Sequence, residues 1–473
     1  MSTTAFNLLR ENVRGTVIEP DDPDYDAARR VFNGMHDRHP AAVLRVSQTA
    51  DVIAAVRFAR DAGLPVAIRG GGHSAPGYGT ADGALVLDFS PRRGVWVDPE
   101  AKRARVEPGA TWADYNHATH AFGLASTGGI VGSTGVAGLT LGGGIGYLAR
   151  KHGLACDNLV SADVVLADGT FARASAEQNP DLLWALRGGG GNFGVVTSFE
   201  FELHDIDMVH VGIVAFPAAE GVAVGQFYRD WIAGQPEEMG AFFAYHQAPP
   251  VPFIPEEWHT RQVCLIVGMW TGDPSEGESR WQPVLSAAPV VGSLVAPMPY
   301  PFLNGAFDEG NPPGLQGYWK ADFARGLSDD ILRVAQEYGS TVPSLPTANH
   351  FYPIDGAVHR VAADATAFPN RSANFAPVIA GQWESPADNE ANIAWVRSYW
   401  RALHEFTEPG GYINFQDADD QPRIEANYGA NYARLAEVKA QYDPDNFFHV
   451  NQNIRPVRAA EGAAAVEPEA TPA

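Results

Sequence analysis

The residues with the clearest chemical capacity are Arg69-Gly70-Gly71-Gly72-His73-Ser74. Consecutive glycines carry no Cβ, so a run of backbone N–H groups can close around an anionic group such as a phosphate. Arg69 offers a positive charge to the same group. His73, at the end of the loop, brings an imidazole nitrogen that is nucleophilic when neutral. Glycines cluster again at Gly128-Gly129, Gly142-Gly143-Gly144 and Gly188-Gly189-Gly190-Gly191. Any one run could be a tight turn. Several runs sharing the chain with such a histidine point to a phosphate-bearing cofactor.

The elements that must position these loops read as mixed α and β. A helix starts at Thr49-Ala50-Asp51, places Val52, Val56 and Ala59 on one face, and ends at Gly63. The apolar strand Pro65-Val66-Ala67-Ile68 then feeds the glycine loop. Further strands are expected at Ala84 to Asp88, Gly94 to Val97, Arg103 to Val106, Val160 to Leu166 and Gly194 to Leu203, with a hairpin turn at Asp168-Gly169. Between about 206 and 410 the texture shifts to frequent proline. Val263 to Met269 reads there as a buried strand, and Ile393, Val396, Trp400 and Leu403 form a helical stripe. A compact ending follows: Tyr412-Ile413-Asn414-Phe415 as an extended segment and a helix over Asn431 to Tyr442. The Ala/Glu/Pro-rich tail, Ala459 to Ala473, is expected to be disordered.

Composition bounds the function. The chain has 473 residues and a net charge of −23, which argues against nucleic-acid and anionic-membrane partners. Cys156 and Cys264 are the only cysteines, too few for a disulfide framework or a thiolate metal site, and no metal is expected. Met1 to Glu19 lacks the basic start and apolar core of a signal peptide, and no apolar run is long enough to span a bilayer. A cytoplasmic protein is expected. Gly142 to Gly146 is a weak nicotinamide fingerprint, because no convincing strand precedes it. No nucleotide P-loop occurs.

The order of the motifs carries more than any one of them. Arg69 to Ser74, then Val86-Leu87-Asp88, Gly142-Gly143-Gly144-Ile145-Gly146, Gly153-Leu154-Ala155-Cys156-Asp157-Asn158, Arg187 to Thr197, Tyr412-Ile413-Asn414-Phe415, Asp443-Pro444-Asp445-Asn446 and Asn451-Gln452-Asn453-Ile454 follow one another along nearly the whole chain. The series resembles the berberine-bridge-enzyme-like flavoproteins of the vanillyl-alcohol oxidase group, of the bacterial type with a single covalent flavin link.

That resemblance implies an α+β fold: a two-part PCMH-type FAD-binding domain interrupted by a substrate domain with an antiparallel sheet flanked by helices. The implied boundaries are 1–205 for the first FAD part, 206–410 for the substrate domain and 411–458 for the returning segment. It implies FAD bound covalently through His73 at the flavin 8α position, where the attachment raises the reduction potential. The implied cofactor contacts are Arg69, Gly70, Gly71, Gly72, His73, Ser74, Gly129, Ser133, Thr134, Gly138, Gly142, Gly143, Gly144, Gly146, Asp157, Asn158, Gly194, Val196 and Asn451.

The sequence departs from the family in three places. Val131 stands where many relatives carry a second, cysteinyl flavin link, so only the histidyl link is expected. Phe415 and Ile145 replace two tyrosines of the plant relatives, one of them the proton acceptor. Remaining candidates for catalysis are Tyr412 and Asn414 in the returning segment, and His350 and Tyr352, which share one face if Asn349 to Val358 begins as a strand. Asp355 lies in the same stretch; Tyr245 and His246 are weaker candidates. The expected activity is an FAD-dependent oxidase acting on a small organic substrate, an alcohol, an amine or a secondary-metabolite intermediate, with O2 reduced to hydrogen peroxide. The Phe415 pocket looks nearer the secondary-metabolite and N-heterocycle oxidases than the oligosaccharide oxidases. A flavin oxygenase and a flavin dehydrogenase are the alternatives, and the chain is expected as a monomer or homodimer.

Overall fold

A computed structural model of the chain describes residues 5–457. The tail from Ala459 to Ala473 lies outside the described residues. Two small sheets occupy the first part of the chain. The first has the order Thr16–Ile18, Ala42–Arg45, Leu85–Asp88, Val66–Arg69, and its last three strands are parallel. The helix Thr49–Ala62 makes the crossover that parallel pairing requires. Its start is fixed by Asp51, whose carboxylate accepts the backbone N–H groups of Arg14, Gly15 and Ser47 at 2.8, 3.0 and 2.9 Å. Gly63 ends it in the left-handed conformation, φ 63°. Val66–Arg69 then delivers the chain into the Gly70–Gly72 loop.

The second sheet is antiparallel, with the order Val95–Asp98, Arg103–Val106, Val195–Glu202, Leu159–Val165, Phe171–Ala174. Each strand read from the sequence is present within a residue or two. The helix Val136–Leu141, rather than a strand, precedes Gly142, which removes the nicotinamide fingerprint.

The middle of the chain forms a seven-stranded antiparallel sheet with the order Gly292–Pro299, Met208–Pro217, Gln262–Trp270, Met239–Gln247, Ala348–Pro353, Phe375–Trp383, Gln316–Ala321. Alternation sorts its side chains into two cores. Phe243, Tyr245, Phe351 and Ile379 pack with Tyr228, Leu332 and Tyr399 of the helices Gly221–Ala233, Asp329–Gly339 and Asn389–His404. Phe242, Ala244, Tyr352 and Val378 face the first part of the chain and pack with Ile145, Tyr147 and Tyr412. No helix of the described residues is long and apolar enough to cross a membrane.

One element differs from expectation. Tyr412 to Phe415 is not extended: Ile413–Phe415 is a 3₁₀ turn, closed by Phe415 N–H donating to Tyr412 C=O at 3.0 Å. No neighbouring strand pairs with it, so the backbone satisfies itself locally. Tyr412 and Asn414 consequently both reach the Gly142–Gly144 loop.

Candidate active site

The glycine loops serve first as close-packing surfaces. A Cβ on Gly70 would come within 2.7 Å of Pro108 C=O, and one on Gly71 within 2.5 Å of Gly135 N and Cα. A Cβ on Gly144 would meet Ala155 Cβ at 2.4 Å, and one on Gly146 would meet Gly128 C=O at 1.7 Å. Real Cβ contacts are never this short, so these positions exclude every other residue. A Cβ on Gly129 would press on Leu139, whereas Gly138 faces open space. Gly194 makes room for Val164 in the sheet, and the Val196 side chain is buried in the core behind it.

His73 packs between Phe32 and the Ser133-Thr134 segment. Its ring stacks on Phe32, with centroids 3.9 Å apart. Its Nε2 lies 3.3 Å from Ser133 Oγ and its Nδ1 lies 3.4 Å from Thr134 Oγ1. Burial lowers its pKa to about 4, so the ring is neutral near pH 7 and keeps one nitrogen lone pair. Asp308 holds the neighbouring loop, accepting Gly132 N–H at 2.7 Å. Ser74 Oγ accepts Tyr78 N–H at 3.2 Å. Among the described residues, the backbone N–H groups of Gly71, Gly72 and His73 have no protein acceptor.

Two charge assignments need correction. Arg69 does not offer its charge to the loop: its guanidinium pairs with Asp88 at 2.9 Å, both side chains are buried, and a further bond goes to Arg30 C=O at 3.0 Å. The pair is neutral as a unit and anchors the strand behind the loop. Asp157 and Asn158 are likewise committed within the protein. Both Asp157 oxygens take the Arg371 guanidinium, at 2.7 and 2.8 Å, and one also accepts Leu154 N–H at 2.9 Å. The Asn158 amide donates to His152 and Leu154 carbonyls and its Oδ1 contacts His204. These side chains fix the loop that carries them and join it to the middle segment.

Four catalytic candidates from the sequence are also redirected. Tyr412 is almost fully buried, and its oxygen accepts the N–H groups of Gly144 and Ile145 at 3.1 and 3.2 Å and the Asn414 amide at 2.9 Å. Burial raises its pKa to about 12. It braces the glycine loop and is not a free base. Asn414 Nδ2 also donates to Leu139 C=O at 2.9 Å, leaving Oδ1 against Gly142. Asp355 is bound by Arg150 at 2.7 Å. Tyr245 points into the helix layer, packed against Gly221 and Gly339.

His350 and Tyr352 do come together on the opposite wall. His350 Nδ1 and Tyr352 Oη are 2.5 Å apart, and both side chains are buried. Phe242 packs on both rings, and Phe415 lies 6.4 Å from the Tyr352 ring, centroid to centroid. Trp319 stands 5.4 Å from Phe415. Tyr147, to which the sequence assigned no role, and His246, a weaker candidate from the sequence, complete the wall. Tyr147 stacks on Phe242 at 5.9 Å, and its Oη is buried without a partner among the described residues. It follows Ile145 by two residues and returns a phenol to the region where Ile145 removed one. His246 Nε2 lies 2.7 Å from His350 Nε2.

The arrangement fits a large ligand with both polar and apolar parts. The unpaired loop N–H groups suit an anion, while among the described residues Trp319 Nε1, Tyr147 Oη and Asn451 Oδ1 are buried polar atoms with no protein partner. Asn451 uses its amide on Gly191 and Phe448 carbonyls, at 3.1 and 3.0 Å, so its oxygen remains free to accept. Backbone donors for a pyrophosphate, a neutral histidine, and buried polar atoms that include the Trp319 donor and the Asn451 acceptor match what FAD presents.

Comparison with known proteins supports the same cofactor. Residues 40–175 match the family described as FAD binding domain, and residues 411–455 match the family described as berberine and berberine like. The chain is 42% identical over 477 residues to FAD-linked oxidoreductase pgmH of Aspergillus terreus, covering 92% of this chain and 93% of the relative. It is 29% identical over 468 residues to (R)-6-hydroxynicotine oxidase of Paenarthrobacter nicotinovorans, covering 94% and 97%. Among solved structures it resembles xylooligosaccharide oxidase from Myceliophthora thermophila in complex with xylobiose, with a TM-score of 0.82, 26% identity, and coverage of 96% of this chain and 100% of that one.

Proposed function

The chain belongs to the berberine-bridge-enzyme-like family of FAD-linked oxidoreductases, and from that premise we propose that it is an oxidase whose flavin is tethered to His73 and whose proton acceptor is Tyr352. In this reading 1–205 and 411–458 hold the cofactor and 206–410 provides the substrate wall. FAD, when bound, supplies the two-electron acceptor for a substrate C–H bond and hands the electrons to O2, with hydrogen peroxide as product. The protein's share is to place the substrate and manage its protons.

The observation that carries this reading is the Tyr352–His350 pair. Phe415 cannot take a proton and the Tyr412 oxygen is occupied by three donors. Tyr352 is the phenol on this wall with a basic nitrogen in hydrogen-bond contact. A buried phenol is a poor base alone, because burial raises its pKa well above the ordinary value. Coupling to His350 changes that: the phenol can take a proton from a substrate while giving its own to Nδ1. Trp319 and Phe415, 5.4 Å apart, offer an apolar surface for the substrate body, with Phe242 packed behind the His350 and Tyr352 rings.

Acid denaturation tests the tether. Flavin should remain on the wild-type chain and be released from His73→Ala; flavin retained covalently by that variant would overturn the assignment. Tyr352→Phe, loaded with flavin, should bleach about 100-fold more slowly on anaerobic mixing with substrate, in line with the loss of a positioned acid–base group. Wild-type turnover should yield one peroxide per substrate oxidised.

A further inference from the structure

We propose that His246, with His350, forms a proton relay leading from Tyr352 to solvent, and that the substrate therefore gives up a hydroxyl proton. The proposal rests on the reading of Tyr352 above and extends it to the exit of the proton and the class of substrate.

The strand register builds the relay. Met239–Gln247 and Ala348–Pro353 are antiparallel, with Ala244 opposite His350. His246 is two residues beyond Ala244 and so lies on the same face, diagonal to His350. The result is a continuous chain: Tyr352 Oη to His350 Nδ1 at 2.5 Å, then His350 Nε2 to His246 Nε2 at 2.7 Å. Tyr352 and His350 are buried. His246 is half-buried rather than buried, and among the described residues its Nδ1 makes no hydrogen bond.

Proton counting gives the chain two neutral arrangements. In one, Tyr352 donates to His350 Nδ1, His350 Nε2–H donates to His246 Nε2, and His246 carries its proton on Nδ1, toward water. In the other, every proton has moved one place: Tyr352 points its hydroxyl into the cleft, His350 holds Nδ1–H, and His246 holds Nε2–H. A substrate O–H proton passing to Tyr352 pushes one proton along each link and leaves as the His246 Nδ1–H. No ring needs to hold a net charge between steps. This suits the surroundings, because burial holds both imidazoles below their ordinary pKa. The titratable groups felt at the inner end are the phenols Tyr147 and Tyr412; among the described residues no carboxylate or cation perturbs any member of the relay.

A neutral amine can be oxidised without surrendering a proton to the protein at that step, whereas an alcohol must lose its hydroxyl proton as the carbonyl forms. A relay ending in solvent serves the second case. This moves the expected substrate from an N-heterocycle to a hydroxyl-bearing compound with a flat, apolar body.

The experiment compares flavin-loaded wild type, Tyr352→Phe, His246→Gln and His246→Ala, with 1-tetralol and 1-aminotetralin as probes. In ¹⁵N-histidine-labelled wild type, the proton shared by the two rings should give a proton resonance downfield of ordinary imidazole N–H signals, absent in His246→Gln. With 1-tetralol, His246→Gln should bleach about 100-fold more slowly, within the range for positioned acid–base groups, with the loss relieved as pH rises. Added imidazole should restore the rate of His246→Ala, and melting temperatures should stay near wild type. If Tyr352→Phe is as fast as wild type, the reading of Tyr352 falls. If Tyr352→Phe is slow while His246→Gln matches wild type in rate and pH profile, the relay alone falls. Absence of the shared-proton resonance in wild type, or bleaching by 1-aminotetralin but not by 1-tetralol, also overturns it.

Discussion

Tyr412 and Tyr352 lie in one apolar cluster and differ in what occupies their oxygens. Tyr412 accepts three protein donors and Tyr352 touches one basic nitrogen. The two phenols should therefore respond differently to the same substitution. Tyr412→Phe strands the N–H groups of Gly144 and Ile145, at about 1–3 kcal/mol for each buried donor left unpaired. Its melting temperature should fall clearly. Tyr352→Phe should melt near wild type and lose bleaching rate instead; a large loss of stability there with normal chemistry would reverse the two assignments. Neither duty can be read from residue type. The pairing of His350 with Tyr352 follows from strand alternation and was legible. The contact with His246 spans 104 residues of sequence and exists only through the register of two strands.

Among the elements, the glycine loops were legible as loops, but their physical reason was hidden. The sequence suggests approach to a phosphate; the structure adds approach of one backbone to another, as at Gly71 against Gly135. Gly71→Ala should destabilise the fold and impair flavin loading together, whereas Gly138→Ala, inside a helix with open space around it, should melt at or slightly above wild type. The Arg69 and Asp157 side chains are spent on holding the loops that carry them, a common use of a charged side chain next to a binding loop. Lys439 shows the same use of charge at the other end of the chain. It is fully buried and donates to Asp443 at 2.6 Å, Asn192 C=O at 2.7 Å and Phe448 C=O at 2.9 Å, which satisfies all three of its protons. Lys439→Met leaves Asp443 buried without its cation and should cost about 3–5 kcal/mol, read as a shift in the urea midpoint.

For the whole molecule, burial holds seven histidines, His36, His73, His152, His204, His210, His246 and His350, below their ordinary pKa. The unfolded chain therefore binds more protons than the folded one as pH falls below 6.5, the ordinary histidine value. Stability should decline from there toward about 4, the value for His73 and His246. Asp417 acts in the opposite sense, its pKa raised to about 6 by burial, but it is one group against seven. Melting temperatures measured between pH 7 and pH 5 should fall; a rise would contradict this balance. The Lys439 contact also sets an order of events during synthesis. The loop near Asn192 is closed by Lys439, Gln452 and Ile454, residues about 250 positions later in the chain. Pairing across such separations is slow and comes late in folding. A ribosome that has released the Gly188–Gly191 loop has not yet made the segment that closes it, so complete cofactor capture should wait for the C-terminal segment to emerge. A chain stopped at residue 410 should leave the ribosome without flavin, however intact its His73 loop.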